Sequence, residues 1–368
     1  MANKTHFDVV GSFLRPEELK KARADFDAGR ISNDEFTKIK HELIKHLVEK
    51  QKSAGLHYIT DGEYNRKFWH LDFFWGFEGI AHKNDGGGVQ FAGEVADLEA
   101  TFLTGKLSAK AHPFIEDFKF LKSLESDGFE AKQTIPAPAQ LFQQLLVPAN
   151  YESTRKYYPT NDELIEDIAK AYTEVIKQFY DAGCRTLQFD DCTWGAIVGN
   201  AAAQRYKSLG LELKEVKEQL LKVNNLAING KPKDLQINTH ICRGNYHSTY
   251  FTSGPYDAVA NYVFAKENVN TLYLEYDDER SGGFSPLASV SPDKKVVLGL
   301  ITTKNSELED KQSVIERIHE AEKYISLERL SISPQCGFAS CEIGNKLTEE
   351  EQWAKIHLVR EIAEEVWN

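Results

Sequence analysis

The feature that most constrains the fold is a regular alternation of short apolar segments with longer segments of helical periodicity. The apolar segments have the length and the β-branched and aromatic content that are typical of strands. Eight of them are predicted, at 6–12, 57–63, 131–137, 186–191, 235–242, 271–277, 296–303 and 329–335. Alternating strands and helices favour parallel connections, and the number eight favours a closed (β/α)8 TIM barrel over an open sheet.

Two of the intervening helices carry clear end signals. Ser32 and Glu35 form the pattern of a capping box, which predicts the start of a long helix. A second helix is predicted to begin with Asn161 or Asp162 as its cap and to end at Gly183, a glycine suited to the position after a helix.

Residues 70–112 fit neither the strand nor the helix period, so we interpret them as an insertion after the second strand. A β-hairpin with its tip at Asp85–Gly88 would be placed to cover the mouth of the barrel. No linker or repeat divides the chain. Residues 1–368 are therefore predicted to form a single catalytic barrel domain.

Composition narrows the possible partners. The chain has 368 residues with a formal net charge of −12 and no block rich in lysine or arginine, which argues against nucleic acid or an anionic membrane as a partner. No apolar run is long enough for a membrane span, and the amino terminus lacks a signal-peptide pattern, so the expected location is cytoplasmic. Five cysteines in a chain of this length do not indicate a disulfide framework.

Polar residues follow seven of the eight predicted strands, where a barrel of this kind carries its active site. His240, Cys242, Glu275 and Cys336 are at such strand ends, and their nitrogen, sulfur and oxygen atoms suit Zn²⁺. Their spacing is dispersed, so simple burial of each cysteine and an ion pair for the glutamate remain open alternatives. Burial is the interpretation for the other three cysteines, which are Cys184, Cys192 and Cys341.

Two carboxylates and one turn are also placed at strand ends. Asp190 ends an apolar strand, where an unpaired charge is costly to bury, so it is expected to bind a cation. That cation is either a substrate amine or an internal Arg or Lys, and Glu63 has the same two interpretations with Arg66 as its internal partner. Ser12, after Gly11, would offer its hydroxyl to a substrate carboxylate or belong to a helix-opening turn.

The motifs "GSF", "DGE", "QFDD", "THIC", "LEYD" and "PQCG", in this order at strand ends, resemble cobalamin-independent methionine synthase. The likeness covers essentially the whole chain and corresponds to the carboxyl-terminal catalytic barrel of that family. It implies a zinc-dependent methyl transfer to the thiol of homocysteine, with 5-methyltetrahydrofolate as the family's donor.

The resemblance also implies residue roles. The zinc ligands of the family fall on His240, Cys242, Glu275 and Cys336. The substrate carboxylate would be bound by Gly11 and Ser12, and its amino group by Glu63 and Asp190. A thiol coordinated by zinc is deprotonated at neutral pH, whereas a free thiol has a pKa of about 8.5. Methionine, a thioether, would then be the weaker ligand and leave.

The sequence departs from the family pattern in three places. The second, amino-terminal barrel of the full-length enzymes has no counterpart here, and "IPAPAQLF" lacks the tryptophan that the family places against the pteridine. The run that carries the family's general-acid histidine reads "TTKN", which puts Lys304 at that position. An ordinary lysine, with a pKa of about 10.4, is poorly matched to acid catalysis at neutral pH.

The half of the site that binds the thiol therefore matches the family, and the half that binds the donor does not. The alternatives left open are alkyl transfer to another thiol, a corrinoid or epoxide donor, and a non-catalytic zinc-binding relative. A glycoside hydrolase that uses Glu63 and Asp190 as its carboxylate pair would need no metal. The oligomeric state is not indicated by the sequence.

Overall fold

The computed structural model describes residues 5–83, 88–97, 99–199, 202, 204, 206–207 and 211–367. It is an α/β fold built on a curled, seven-stranded parallel sheet. In sheet order these strands are β1 (Tyr58–Ile59), β6 (Glu130–Pro136), β7 (Thr186–Asp191), β8 (Gln236–Ile241), β9 (Thr271–Glu275), β10 (Lys295–Ile301) and β11 (Leu330–Pro334).

Helices connect these strands and bury their apolar faces against the sheet. The α-helices of the described residues with eight or more residues are Glu17–Asp27, Asn33–Ser53, Phe114–Lys122, Pro138–Leu146, Pro148–Tyr157, Asn161–Asp181, Leu213–Ile228, Lys311–Glu322 and Glu349–Trp367. Shorter ones are Leu71–Phe74, Cys192–Ala196, Asp257–Ala260 and Val263–Lys266. Within the described ranges, no helix is both long and apolar enough to cross a membrane.

The predicted helix ends are largely confirmed. Ser32 caps its helix and forms the complete capping box with Glu35. The helix Asn161–Asp181 is capped by Thr160, whose side chain accepts a hydrogen bond from Glu163 N, so the predicted cap at residue 161 or 162 is wrong by one or two positions. Gly183 follows that helix with a φ of 96°, a conformation that favours glycine.

The segment 6–12, predicted as the first strand, is not a strand. It makes one parallel bridge, from Phe7 to Ile332 of β11. The reason is that side chains donate hydrogen bonds to backbone carbonyl oxygens of this segment, which in a strand would accept from the backbone of a neighbouring strand. Lys132 Nζ donates to Val9 O at 2.6 Å, and two further donors act in the same way, Gln188 Nε2 on Val10 O and Thr60 Oγ1 on Gly11 O.

The predicted insertion forms two antiparallel pairs after β1. β2 (Glu78–Lys83) pairs with β5 (Ala100–Ser108), and between them β3 (Gly88–Gln90) pairs with β4 (Val95–Asp97). The β-hairpin prediction is confirmed in this form. The predicted tip at Asp85–Gly88 lies outside the described residues, apart from Gly88.

Candidate functional site

Four side chains with metal-binding atoms meet at the carboxyl ends of the central strands. His240 lies in β8, Cys242 follows that strand, and Glu275 is the last residue of β9. Cys336 comes shortly after β11. All four residues are buried, and their ligand atoms lie within 4.8 Å of one another. Because parallel strands end on the same rim, residues far apart in sequence converge here.

The two cysteines of this cluster are free thiols whose sulfur atoms lie 3.8 Å apart. Gly244 N donates a hydrogen bond to Cys242 Sγ at 3.3 Å, a contact that would stabilise a thiolate. The neighbouring Cys242 thiol, together with burial, raises the pKa of Cys336 well above its ordinary value. In the absence of a metal ion both thiols are therefore protonated at neutral pH.

The other two members of the cluster have free donor atoms. Arg243 N donates to Glu275 Oε1 at 3.0 Å. Among the described residues, Glu275 Oε2 and both ring nitrogens of His240 lack a well-formed hydrogen bond. Buried polar atoms are rarely left in this state, so the arrangement fits a metal ion as the missing partner. One nitrogen, two sulfur and one oxygen donors match the ligand preferences of Zn²⁺.

A third thiol, Cys192, interacts with Cys242 of this cluster, a contact that the interpretation of Cys192 as a buried cysteine did not include. It begins the short helix after β7, the strand adjacent to β8. Interaction with the Cys192 thiol is the main cause that raises the pKa of Cys242. The available signal was its place at the end of a strand, in "QFDDC".

Asp190 lies directly beside the cluster. It is the register partner of His240 in the pairing of β7 with β8. Gln188 Nε2 donates to Asp190 Oδ1 at 2.8 Å. Burial raises the pKa of Asp190 to about 7, and Arg66 and Lys132, the cations that act on it among the described residues, offset this effect only in part.

Glu63 faces the same region from the loop after β1. Its Oε1 accepts a hydrogen bond from Thr134 Oγ1 at 3.0 Å and lies 3.5 Å from Arg66 Nη1, which confirms Arg66 as its internal partner. Its Oε2 has no partner among the described residues. Burial raises the pKa of Glu63 to about 7 despite Arg66, with a further contribution from Asp190.

Glu63 also has a strained backbone, with a φ of 61° that is uncommon for a residue other than glycine. Such strain persists only where the surrounding structure fixes it, and it is concentrated at functional positions. The free Oε2 and the strained backbone make Glu63 a candidate for binding a ligand.

The turn at Gly11 and Ser12 packs against the loop that carries Cys336. Ser12 Oγ accepts a hydrogen bond from Ala339 N at 3.3 Å, and a Cβ on Gly337 would lie 1.9 Å from Ser12 Oγ. The following helix begins at Glu17, so Ser12 does not cap it. This contact brings the predicted carboxylate-binding turn next to the candidate metal cluster.

Lys304 is held in an ion pair. Its Nζ donates to Asp277 Oδ2 at 2.8 Å, and Asp277 also accepts from Arg280 Nη2 at 3.0 Å. Asp277 is only 1% exposed; burial opposes its ionisation, but Lys304 and Arg280 together lower its pKa. A cavity of about 260 Å³ lies beside this pair, and Glu307 and Glu309 are among its lining residues.

The turn between β3 and β4 contacts two loops that leave the cluster. Glu94 Oε2 lies 2.7 Å from His247 Nδ1, and Glu94 Oε1 accepts from Lys346 Nζ at 2.6 Å. Ala92 N donates to Tyr250 O at 3.0 Å. Sequence reasoning gave none of these residues a role, because their contacts join distant parts of the chain.

The fold and the site define an α/β protein with a buried nitrogen, sulfur and oxygen cluster at the carboxyl ends of a parallel sheet. The family model described as "Cobalamin-independent synthase, Catalytic domain" matches residues 143–365. The chain belongs to this cobalamin-independent methionine synthase family, which confirms the predicted resemblance.

Two curated relatives illustrate the range of similarity. YxjG of Bacillus subtilis, described as an uncharacterized protein, is 42% identical over 362 residues, covering 98% of this chain and 94% of YxjG. A methionine synthase of Saccharolobus solfataricus is 24% identical over 336 residues, covering 89% of this chain and 86% of that protein.

Two solved structures are similar to this chain over nearly its whole length. A protein from Listeria monocytogenes, assigned as a vitamin-B12-independent methionine synthase, is 36% identical with a TM-score of 0.76, covering 98% of this chain and 97% of its own. A B12-independent methionine synthase from Shewanella sp. W3-18-1, in complex with selenomethionine, has a TM-score of 0.73 at 20% identity and covers 98% of this chain and 97% of its own. The second likeness shows the fold alone.

Proposed function

We propose that this protein is a zinc-dependent S-methyltransferase that methylates the thiol of homocysteine to give methionine. The observation that carries the proposal is the buried cluster of four donor atoms beside a carboxylate pair with incomplete counter-charge. Membership in the cobalamin-independent methionine synthase family supports the same reaction.

His240, Cys242, Glu275 and Cys336 would hold the zinc ion. Zinc, when bound, makes a coordinated thiol a thiolate at neutral pH and so supplies a nucleophile. The protein's own contribution is to bury the reacting atoms away from water and to fix their orientation. Gly244 N, which donates to Cys242 Sγ, helps to hold that ligand in its ionised form.

The amino acid part of homocysteine would be bound next to this cluster. Its ammonium group would lie between Glu63 and Asp190, where it supplies the positive charge that the two carboxylates lack. Its carboxylate would accept hydrogen bonds from the turn at Gly11 and Ser12. Selenomethionine in the Shewanella structure supports an amino acid ligand in this family.

We further propose that the fold closes as a (β/α)8 barrel. Segment 6–12 contacts β11 through Phe7 and the residues after β1 through Thr60, so it spans both edges of the sheet. Residues 1–368 would then form one catalytic domain, with the insertion over its mouth. The contacts of Glu94 and Ala92 with loops at that end support this position.

The methyl donor that we propose is 5-methyltetrahydrofolate, and family membership alone supports it, because the sequence departs from the family pattern in the half of the site that binds the donor. The direct test is to load the purified protein with zinc and assay methionine formation from homocysteine, with 5-methyltetrahydrofolate in mono- and triglutamate forms and with methylcobalamin. We expect about one zinc ion per chain and methionine from the folate donor. Methionine from methylcobalamin alone would contradict the donor, and no methionine from any donor would contradict the function.

A further inference from the structure

Transfer of a methyl group from nitrogen to sulfur requires a proton for the nitrogen that is left behind. This inference rests on the proposed function with an N-methyl donor. Lys304 occupies the general-acid position in sequence, but its ammonium group is bound to Asp277, which also binds Arg280. The ion pair with Asp277 occupies the ammonium group of Lys304, and an ordinary lysine, with a pKa of about 10.4, is poorly matched to acid catalysis at neutral pH. A group other than Lys304 is therefore the better source of the proton.

The loop after Cys242 carries a histidine that is arranged for proton transfer. His247 Nδ1 lies 2.7 Å from Glu94 Oε2, and Lys346 Nζ binds the other oxygen of Glu94 at 2.6 Å. Hydrogen bonds from Lys346 and His247 lower the pKa of Glu94, so the carboxylate stays ionised. A carboxylate on Nδ1 fixes the orientation and tautomer of an imidazole and leaves Nε2 for a substrate.

The loop that carries His247 is attached to the candidate metal cluster. The loop begins at Cys242, and its Asn245 side chain donates to the backbone oxygen of Gly337 at 2.7 Å, next to Cys336. The loop therefore spans the two cysteines of the candidate metal cluster. His247 follows two residues after Asn245, on the side from which the insertion approaches.

The backbone of this loop is strained at the histidine itself. The φ angles are 46° at His247 and 67° at Ser248, in a region that residues other than glycine rarely adopt. The strained conformation is held by Ser248 N, which donates to Asn345 Oδ1 at 2.9 Å. Backbone strain that the surroundings maintain is a recurrent property of functional positions.

The insertion fixes the partner of the histidine. Ala92 N donates to Tyr250 O at 3.0 Å, and the ring of Phe91 lies 5.3 Å from that of Tyr246. Glu94 is thus attached to the same loop at several points. The charged and titratable groups next to His247 are Glu94 and Lys346, on two different elements, and Tyr246 on its own loop.

We propose that His247, oriented by Glu94, donates the proton to the leaving nitrogen of an N-methyl donor. In this step the homocysteine sulfur forms a bond to the methyl carbon, and the bond between that carbon and the donor nitrogen breaks. The nitrogen keeps the electron pair and takes the proton from His247 Nε2. The homocysteine thiol releases one proton to water before this step, and His247 takes one proton back from water after it. The number of protons is therefore conserved.

The test compares donors that differ in their need for a proton. With 5-methyltetrahydrofolate the leaving group is an amine nitrogen, whereas with the sulfonium S-methylmethionine it is a neutral thioether that needs none. The variants are His247→Gln and His247→Asn, the second because asparagine tolerates a positive φ. The matched control is His82→Gln, since His82 Nδ1 makes a similar contact of 2.8 Å with Glu99 elsewhere in the insertion.

We expect both His247 variants to lower kcat with the folate by about 100-fold and to change the sulfonium reaction by less than about threefold. His82→Gln should change neither. Glu94→Gln should lower the folate kcat by about tenfold, and an NMR spectrum of the histidine ring nitrogens should show a changed tautomer balance for His247.

Three results would overturn this role, and a fourth would overturn the proposed function together with it. Equal losses with both donors would indicate a structural function for His247, and unchanged folate turnover would exclude proton donation. If the wild type used the sulfonium but not the folate, methyl transfer would stand and the role of His247 would fall. If it used neither donor nor methylcobalamin, the proposed function itself would fail, and the role of His247 with it.

Discussion

The two halves of the candidate site differ in how their charges are balanced. On the thiol side, polar atoms of Glu63, Glu275 and His240 lack partners among the described residues. On the side where the donor would bind, Lys304 and Arg280 both pair with Asp277. Buried polar atoms and charges without partners indicate a site where a ligand can supply the missing partner. A cluster whose charges are already neutralised needs no such ligand. Under the proposed function, the first half would be preformed for its ligands, and the second would recognise the donor by groups other than Lys304 and Arg280.

The largest effect should come from the metal cluster. Cys336→Ala removes one of four ligands, so we expect loss of the tightly bound zinc and a fall in activity of more than about 100-fold. Zinc content by atomic emission and methionine formation would be measured together. Cys184→Ala is the matched control, because Cys184 is a buried thiol that donates to Thr186 O away from the cluster. Zinc retained in Cys336→Ala would contradict the ligand assignment.

The next effect should appear at the carboxylate pair. Asp190→Asn and Glu63→Gln each remove half of the negative charge that would face the substrate ammonium. We expect each to raise the KM for homocysteine by about 10–100-fold, the range of one charged hydrogen bond. Zinc content should stay unchanged, which separates this loss from the previous one. Asp117→Asn, at a carboxyl group that pairs with Lys40 on the outer helices, should leave KM at the wild-type value.

The same pair predicts a pH dependence of binding. Burial raises the pKa values of Glu63 and Asp190 to about 7, so both are largely ionised above that pH and protonated below it. An ammonium ligand needs the ionised forms, so affinity should fall by about tenfold per carboxyl per pH unit well below 7. Calorimetry with methionine, which has no thiol proton, isolates this effect. An affinity for methionine that is constant from pH 8 to pH 5.5 would show that the pair does not bind the ammonium.

These two carboxylates also show which parts of the candidate site could be predicted from the sequence. The positions of Asp190 and Glu63 at strand ends predicted buried charges in need of a cation, because strand alternation and burial are local properties. The cluster of His240, Cys242, Glu275 and Cys336 was likewise predictable, since parallel strands bring their ends to one rim. Neither inference needed a distance between side chains.

What the sequence could not predict depends on contacts between distant segments. Segment 6–12 has the pattern of a strand, but the side chain of Lys132 and two others replace the ladder of hydrogen bonds. Cys192 and His247 have no partner at any regular spacing, and their neighbours Cys242 and Glu94 are found only after folding. Local pattern therefore predicts where polar groups lie, and tertiary packing decides which of them meet.

The smallest effect on activity should come from replacing Lys304, in contrast to the large losses expected on the thiol side. In Lys304→Met, Asp277 keeps its ion pair with Arg280 at 3.0 Å, so the cost in the free energy of unfolding should be about 1–2 kcal/mol. If the ammonium group serves only this pair, kcat with 5-methyltetrahydrofolate should change by less than about threefold. Denaturant unfolding and steady-state kinetics would measure the two quantities on one preparation. A loss of kcat near 100-fold with unchanged stability would instead make Lys304 the acid and would remove the need for His247.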